Sequence, residues 1–444
     1  MFRNVLLRCI LALGLAIGLL AAPASAQLAD LIPGLFENTV RLASNPDPTR
    51  DHAAHFVDPQ GTLRATGEAL NQSLVSQLST FPLASSAGGF TFVFDPALGT
   101  YERASQSFGP AFTERAQTIG DGRWNVGFND LSASYESLDG LELEGGDVEF
   151  QLRHLDSSPP VGGDPPQPFF EGDLINVNTF LEVENQTTVF FANYGLTDRF
   201  DVSLAVPLVS VDVAARAVLT VDRLSTAAQP GIHVFPDGSS TSSFSDSDSA
   251  TGVGDVLLRG KWRFADLGAG GLAAAFDVRL PTGDEADLLG TGFTQAKLSL
   301  LASGAIGRVS PHANLGFSAA SGDSDTLEDL PDELSYAAGL DVAVHPRLTL
   351  SGEVVGRNLF DATRAELRQE TFTFTTAGAT APLTAQRPVV HFVEDDLSLL
   401  LGVLGVKFNP AGNLLLSASA LFSLADDGLE QDGVIGAFGL EYSF

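Results

Sequence analysis

Residues 434–444 read V-I-G-A-F-G-L-E-Y-S-F and alternate strictly in side-chain character. The even-numbered positions are apolar or glycine, whereas the odd-numbered positions after Ile435 are small or polar. Because successive side chains of a β-strand point to opposite faces, one face of this segment suits hydrocarbon and the other tolerates water. The pattern predicts a wall strand of a membrane barrel, with the edge strand of a soluble sandwich as the alternative. The apolar face would consist of Val434, Gly436, Phe438, Leu440, Tyr442 and Phe444.

Upstream of this strand, the chain from Arg123 onward divides into segments of strand length. Short connectors (195–198, 265–271, 307–308, 345–347 and 409–413) alternate with long ones (139–176, 214–253, 282–293, 321–333, 361–396 and 425–433). Short turns at one rim and long loops at the other are typical of outer-membrane barrels, in which the short turns are periplasmic. The predicted strands are 123–138, 177–194, 199–213, 254–264, 272–281, 294–306, 309–320, 334–344, 348–359, 397–408, 414–424 and 434–444.

Two further segments, 89–95 and 100–108, could pair as a hairpin across 96–99. With this hairpin the wall has fourteen strands and without it twelve, and both counts are even, as closed single-chain barrels require. We favour fourteen. The predicted fold is therefore an all-β transmembrane antiparallel barrel of 12–14 strands, preceded by a short and partly helical segment.

The amino-terminal residues 1–26 have the features of a secretory signal peptide. Arg3 and Arg8 precede an apolar stretch at 11–20, and the small residues 24–26 (A-S-A) form a cleavage site. Cys9, the one cysteine of the chain, lies in this segment, so the mature chain offers no thiolate and no disulfide. Residues 27–87 form a second region with helical spacing at 28–42 and 63–78, which either plugs the lumen or serves as a leader. Residues 88–444 are assigned to the barrel.

The formal net charge is −31, which excludes a nucleic-acid partner because phosphates require Lys and Arg. The acidic residues concentrate in the predicted loops, where solvated charge is favoured over specific binding of divalent cations. No cofactor is predicted. The acidic groups are Asp246 and Asp248; Asp284, Glu285 and Asp287; and Asp323, Asp325, Glu328, Asp329, Asp332 and Glu333.

Strand 254–264 fixes which face of the wall points inward. One row holds Val256, Leu258, Gly260, Trp262 and Phe264, and the other holds Arg259, Lys261 and Arg263. A lipid-facing Arg or Lys near the membrane midplane costs about 2–4 kcal/mol, so the basic row must face the lumen. The same alternation directs Arg279 and Lys297 of the next strands inward. The sequence thus predicts a basic lumen wall formed by Arg259, Lys261, Arg263, Arg279 and Lys297.

A second group of lumen candidates lies on strand 177–194. We place Glu182 and Glu184 on its inward row, opposite the basic wall, together with Phe180 and Phe190. The opposed charges either polarise a water-filled channel or pair with one another to lock the barrel, and pairing is favoured. The aromatic side chains either line a path for apolar molecules or pack against a plug.

Three stretches carry a resemblance to known outer-membrane proteins. The aromatic ending with Leu440, Tyr442 and Phe444 resembles the closing strand that the barrel-assembly machinery reads. Residues 193–208, N-Y-G-L-T-D-R-F-D-V-S-L-A-V-P-L, and residues 252–292 resemble the outer-membrane family of meta-pathway phenol-degradation proteins. The second block begins G-V-G-D-V-L-L-R-G-K and ends R-L-P-T-G-D-E-A-D-L-L-G-T-G. That family is related to the long-chain fatty-acid and aromatic transporter barrels.

The resemblance implies a porin-like transporter in the outer membrane of a Gram-negative bacterium, for passive uptake of small hydrophobic or aromatic compounds. The expected partners are outer-membrane lipid and lipopolysaccharide, the barrel-assembly machinery and the solute. A structural or adhesive barrel without transport is the alternative, followed by a barrel-embedded hydrolase. We expect no enzyme, because the chain contains neither a G-x-S-x-G nor an H-E-x-x-H motif.

Overall fold

The computed structural model describes residues 28–37, 40–44, 53, 56, 62–78, 89–95, 100–103, 105–154, 171–268, 270–322, 324 and 327–444. The predicted signal peptide, residues 1–26, lies outside the described residues. The two helices are α1 (Leu28–Glu37) and α2 (Thr62–Leu78). The strands are β1 (Phe92–Asp95), β2 (Thr100–Arg103), β3 (Trp124–Leu138), β4 (Leu141–Glu142), β5 (Val148–Arg153), β6 (Leu174–Thr197), β7 (Phe200–Asp222), β8 (Thr241–Val253), β9 (Val256–Leu267), β10 (Gly270–Leu280), β11 (Thr294–Ser303), β12 (Val309–Ser321), β13 (Glu333–His345), β14 (Leu348–Phe374), β15 (Leu383–Ala411), β16 (Leu414–Ser423), β17 (Leu429–Gln431) and β18 (Ile435–Ser443).

Twelve antiparallel strands close into a barrel, which confirms the predicted fold class. The wall consists of β3, β6, β7, β9 to β16 and β18, each paired with the next along the chain. Closure comes from β18, which pairs with β3 from Gly436↔Ser132 to Ser443↔Asn125. Beyond the last ladder pair, the Trp124 N–H donates to the Phe444 carbonyl at 2.8 Å, and the Phe444 N–H donates to the Trp124 carbonyl at 2.9 Å.

The preference for fourteen strands is wrong. Strands β1 and β2 pair with each other in a separate two-stranded sheet and are not part of the wall. Each has four residues, whereas a strand needs roughly 9–11 to cross a membrane.

Short turns lie at one rim and long connections at the other, as predicted. Four predicted loops nevertheless contain strands. Residues 361–396 form most of a hairpin extending β14 and β15, and residues 214–253 extend β7 and add β8. Residues 139–176 contain β4, β5 and the start of β6, and residues 425–433 contain β17. With 27 and 29 residues, β14 and β15 reach well past the length needed to cross a membrane. These hairpins therefore stand above the wall at the long-loop rim.

The outer surface of the wall carries an apolar belt. Leu298 and Leu404, both 60% exposed, and Leu340, 52% exposed, point away from the lumen. Aromatic side chains mark the short-turn rim, where the rings of Trp262 and Phe264 are 5.8 Å apart. An apolar band bounded by aromatic residues is the outer surface expected of a transmembrane barrel.

The two predicted helices are present and pack against each other. A Cβ on Gly67 of α2 would lie 3.0 Å from the Cα of Pro33 in α1, so glycine permits the close approach. Leu28, Ile32 and Leu70 are buried in the apolar core that these helices share with the upper barrel. Neither described helix is long and apolar enough to span a membrane.

The barrel interior changes character with height. Near the short turns, the inward side chains are polar or charged, such as Asp201, Lys261 and Asp341. Nearer the long-loop rim, β6 and β7 turn apolar residues inward, including Leu181, Val183 and Val213, which join the core formed with α1 and α2. The upper barrel is thus packed like a globular protein, whereas the lower barrel is apolar outside and polar inside.

Candidate functional site

Residues 105–119 cross the lumen before the chain enters β3. Their backbone groups bond to inward side chains of several strands rather than to another strand of their own. Glu353 on β14 accepts hydrogen bonds from the Ala111, Phe112 and Thr113 N–H groups and from the Thr113 hydroxyl. We call this stretch the lumen segment. It occupies the lower barrel, so any path through the lumen must pass beside it.

Two of the predicted basic residues hold the lumen segment. Arg259 donates to Glu114 of that segment and forms a second ion pair with Asp277 at 2.7 Å. Lys261 donates to the Gln117 carbonyl at 2.9 Å, and its Nζ lies 3.5 Å from Asp201. Both side chains therefore pair with other groups of the barrel interior. The sequence analysis favoured such pairing over charges that polarise a water-filled channel.

The other three basic candidates lie at different levels of the wall. Arg263 pairs with Asp266 at 2.7 Å, close to the β9–β10 turn. Lys297 is 3.4 Å from Glu333, which also pairs with Arg357 at 2.6 Å. Arg279 borders two internal cavities. Glu333 had been assigned to an acidic loop, but it begins β13 and points into this ion-pair network.

Glu182, Glu184, Phe180 and Phe190 are predicted on the wrong face. Glu182 and Glu184 are exposed, whereas the alternate residues Leu181 and Val183 are buried. Phe190 lies on the outside, with its ring 6.2 Å from that of Phe128. Arg216 stacks on Phe180, 4.0 Å from the ring centroid. The prediction failed because it gave the apolar row to lipid, whereas the upper interior is an apolar core.

A cavity that we call the charged cavity lies along β9 to β14. Its volume is about 180 Å³. The ion-paired side chains of Arg259, Asp277, Lys297, Glu333 and Arg357 line it. A cavity with both charge signs on its wall suits water and small polar solutes better than hydrocarbons.

A second cavity, which we call the apolar cavity, lies against β3, β6, β16 and β18. Its volume is about 80 Å³, and it adjoins the charged cavity at Phe112, Phe191 and Arg279. Lys407, Asn129, Ser417 and Ser419 form a polar corner of this cavity. Four more charged residues border it: Asp130, Asp255, Arg279 and Glu441. Most of the remaining wall is hydrocarbon, contributed by Leu131, Val189, Phe191, Pro207, Val209, Leu288 and Leu289.

The loop at 281–293 closes one side of the apolar cavity, and Asp255 holds it there. The Asp255 carboxylate accepts hydrogen bonds from the Gly283 N–H at 3.0 Å and from the Thr291 N–H at 3.1 Å. A Cβ on Gly283 would collide with the Leu289 carbonyl, so the loop needs glycine there. The two ends of the second resemblance block, G-V-G-D and P-T-G-D-E, therefore meet in space and turn Leu288 and Leu289 inward.

The helices and the stretch at 40–44 lie at the long-loop rim. The Ala29 N–H donates to the Ala286 carbonyl at 2.9 Å, and the Ala43 N–H donates to the Val234 carbonyl at 2.7 Å. From α2, the Gln77 side chain accepts from the Leu429 N–H at 2.6 Å. These contacts tie the amino-terminal residues to three different connections of the same rim.

A buried Asp–His pair anchors another part of this rim. His233 Nδ1 lies 2.8 Å from Asp173, and the His233 and His154 rings flank Phe56 at 5.3 and 5.1 Å. Burial alone would raise the pKa of the Asp173 carboxyl, but hydrogen bonds from His233 and Thr226 outweigh it and hold that pKa below its usual value. The stabilisation is complete above the unfolded value near 3.8 and is lost as the pH falls below it.

A second buried pair, His312 with Asp341, lies on the lower inner wall, where His312 Nε2 is 2.7 Å from Asp341. Ser107 bonds to Ser310 and Asp341 rather than to the imidazole, so the arrangement lacks the serine–histidine contact of a hydrolytic triad. Across the part of the chain that the structure describes, no group of three or more histidines or acidic residues is placed to hold a metal ion.

The roles of two residues of the site were not predicted from the sequence: Lys407, which borders the apolar cavity, and Glu353, which holds the lumen segment. The inward direction of Lys407 can be predicted from the sequence, because the residues that alternate with it, Leu404, Val406 and Phe408, form an apolar outward row. Glu353 lies on the inward row of β14, but its partners belong to a segment without periodicity. The ion pair between Glu114 and Arg259 could not be predicted either, because Glu114 belongs to the same irregular segment.

No family model matches the chain, and no curated protein matches it in sequence. Solved structures similar to it include the COG4313 outer membrane channel from Pseudomonas putida F1, at 12% identity over 74% of this chain and 98% of that one, with a TM-score of 0.41. A Pseudomonas aeruginosa FadL homologue is similar at 14% identity over 80% and 94%, with a TM-score of 0.29. The Ralstonia pickettii toluene transporter TbuX is similar at 11% identity over 73% and 90%, with a TM-score of 0.28. At these identities and scores, the likeness adds nothing to the fold that the strand pairing establishes, and membership of the phenol-degradation family stays a prediction.

Proposed function

We propose that this protein is an outer-membrane channel for passive uptake of small hydrophobic or aromatic compounds. It is made with a signal peptide at 1–26, inserted by the barrel-assembly machinery through Leu440, Tyr442 and Phe444, and surrounded by lipid and lipopolysaccharide. The sequence blocks at 193–208 and 252–292, which resemble an outer-membrane family linked to phenol degradation, support the solute class.

One observation carries the proposal: a largely hydrocarbon cavity inside a barrel whose lower lumen is otherwise polar. A structural barrel gains nothing from an internal void, because voids forfeit packing energy. An apolar solute, by contrast, gains about 25 cal/mol for each Å² of surface that it buries there. The adjoining charged cavity would supply the watery part of the path.

We further propose that α1, α2 and their flanking residues in 27–87 form the outer stopper of this channel. Three observations support this assignment: the helices contact β7, β8, β14 and β15, they bond to connections of the long-loop rim, and Leu78 borders the apolar cavity. The stopper must shift for a solute to enter from that rim.

The test uses the purified full-length mature protein in planar bilayers and in proteoliposomes. We expect discrete current steps and uptake of radiolabelled toluene and phenol that is faster than in protein-free liposomes. A folded protein that gives neither current nor accelerated uptake would overturn the channel function.

The structural alternative has one specific observation in its favour. The lumen segment is fixed by Glu353, Arg259, Lys261 and Asp201, and such a fixed segment could seal the barrel. A sealed barrel would give no current with or without α1 and α2, whereas the proposed channel would conduct more when the helices are displaced.

A further inference from the structure

Lys407 is a buried lysine whose side chain borders the apolar cavity. It is 7% exposed and lies on the inner face of β15. Four of the predicted basic lumen residues, Arg259, Lys261, Arg263 and Lys297, have ion-pair partners, as described above. Lys407 forms neither an ion pair nor a hydrogen bond with any other residue that the structure describes. The ammonium group therefore faces the cavity without a partner from the described residues, and an occupant that supplies negative charge there would be stabilising.

The residues beside Lys407 form a row across four strands. The register pairs Lys407 with Ser417, Ser417 with Gly439 and Gly439 with Asn129. A Cβ on Gly439 would collide with Ser417 Oγ and Asn129 Oδ1, so both polar groups lean over the space that the glycine leaves open. Neither side chain hydrogen-bonds to another described residue. The row therefore presents an ammonium, a hydroxyl and an amide to one small space.

The carboxylates that border the same cavity are already hydrogen-bonded. Asp255 accepts from Gly283 and Thr291, and Glu441 accepts from the Gly89 N–H at 3.1 Å and from Asn125 Nδ2 at 2.9 Å. The third carboxylate, Asp130, accepts from the Thr188 hydroxyl at 2.6 Å. The unpartnered polar groups thus lie on the cationic side of the cavity, and the hydrocarbon of Val189, Phe191 and Leu289 completes the wall.

We propose that the apolar cavity is a binding site for a small amphipathic anion, a carboxylate on an aromatic or short aliphatic body. The carboxylate would accept hydrogen bonds from Lys407 Nζ, Ser417 Oγ and Asn129 Nδ2. The apolar body would lie against Val189, Phe191 and the inward loop at 281–293. This inference rests on the proposed channel function and specifies its solute class, because a neutral hydrocarbon would leave Lys407 without a partner.

The test is titration calorimetry of the detergent-solubilised full mature chain with benzoate and with benzamide. The two ligands have nearly the same shape and differ in charge. We expect wild type to bind benzoate more tightly than benzamide. Lys407→Met keeps the length of the side chain and removes its charge, so benzoate affinity should fall roughly tenfold or more, while benzamide affinity stays the same.

Two further variants make the result specific. Lys407→Arg should retain most of the preference for benzoate, and Ser417→Ala should weaken benzoate binding by a smaller factor. Arg368→Met, which removes a cation from the exposed hairpin far from the cavity, should leave both affinities at the wild-type values. Gel mobility of boiled and unboiled samples reports whether each variant is folded.

Any of three results would overturn the anion site: wild type that fails to bind benzoate at millimolar concentration, wild type that binds benzamide as tightly as benzoate, or a Lys407→Met variant that binds benzoate as tightly as wild type. None of these results touches the current and toluene-uptake measurements that test the channel. Conversely, benzoate binding that depends on Lys407 in a barrel that conducts no current would contradict the channel function and support the anion site.

Discussion

Glu353 lies on the inner wall of β14 and accepts four hydrogen bonds from residues 111–113. Hydrogen bonds to a charged group are each worth about 1.5–3 kcal/mol, and the donors lose a buried acceptor if the carboxylate is changed. This side chain therefore fixes the course of the lumen segment at its midpoint.

Glu353→Gln should loosen the lumen segment, because the new amide NH₂ group faces backbone donors where a carboxylate oxygen accepted. We expect the free energy of unfolding to fall by about 1–3 kcal/mol and single-channel conductance to rise. Glu182→Gln makes the same chemical change on the exposed face of β6 and should alter neither quantity. Unchanged conductance in a folded Glu353→Gln protein would mean that the lumen segment is held by its other contacts alone.

The alternation of residues within a strand predicted the inward direction of Arg259, Lys261 and Lys297, because only one row of each strand is compatible with lipid. It did not predict their partners. Glu114 belongs to an irregular segment, and the Arg259–Glu114 contact joins residues far apart in the chain. Local periodicity contains no information about such a contact.

At the scale of elements, β6 explains the main error about the lumen. Its lower half turns Phe190 and Tyr194 outward, and its upper half turns Leu181 and Val183 inward, along two rows of unbroken alternation. The hydrophobic row changes sides because the environment changes from membrane to packed core. A rule that assigns one apolar face to a whole strand fails wherever the strand leaves the bilayer.

The contact between α1 and the loop at 281–293 allows the outer stopper to be locked. Because residues 27–444 contain no cysteine, Ala29→Cys with Ala286→Cys creates a single pair in that part of the chain at a 2.9 Å backbone contact. We expect oxidation to form a disulfide that lowers toluene uptake and reductant to restore it. The Ala29→Cys single variant should take up toluene equally with and without oxidant. Equal uptake by the locked and reduced double variant would show that solutes bypass the helices.

At the scale of the whole molecule, the belt and the rims were the most predictable features. Leu298 faces Phe276 and Phe317 across two ladders, and all three are exposed. Such a patch on a folded chain requires hydrocarbon around it. The filling of the interior was far less predictable, because α1, α2 and the lumen segment show weak periodicity or none.

Leu298→Arg should impair insertion, because it places a cation on the lipid-facing row at a cost of about 2–4 kcal/mol. Gln295→Arg puts the same side chain on the lumen face of the same strand and should be tolerated much better. Folding yield into liposomes after dilution from urea measures both. Equal yields would place residue 298 outside the bilayer.

The joint between β3 and β18 constrains how the protein can be assembled. The helices α1 and α2 lie at the rim opposite the point where the lumen segment enters β3, and that segment is bonded to five wall strands. Once β3 and β18 have paired, the residues that precede β3 would have to pass through the same lumen that they later occupy. The amino-terminal residues must therefore take their places inside the sheet before its first and last strands join, so that membrane insertion and filling of the interior occur together.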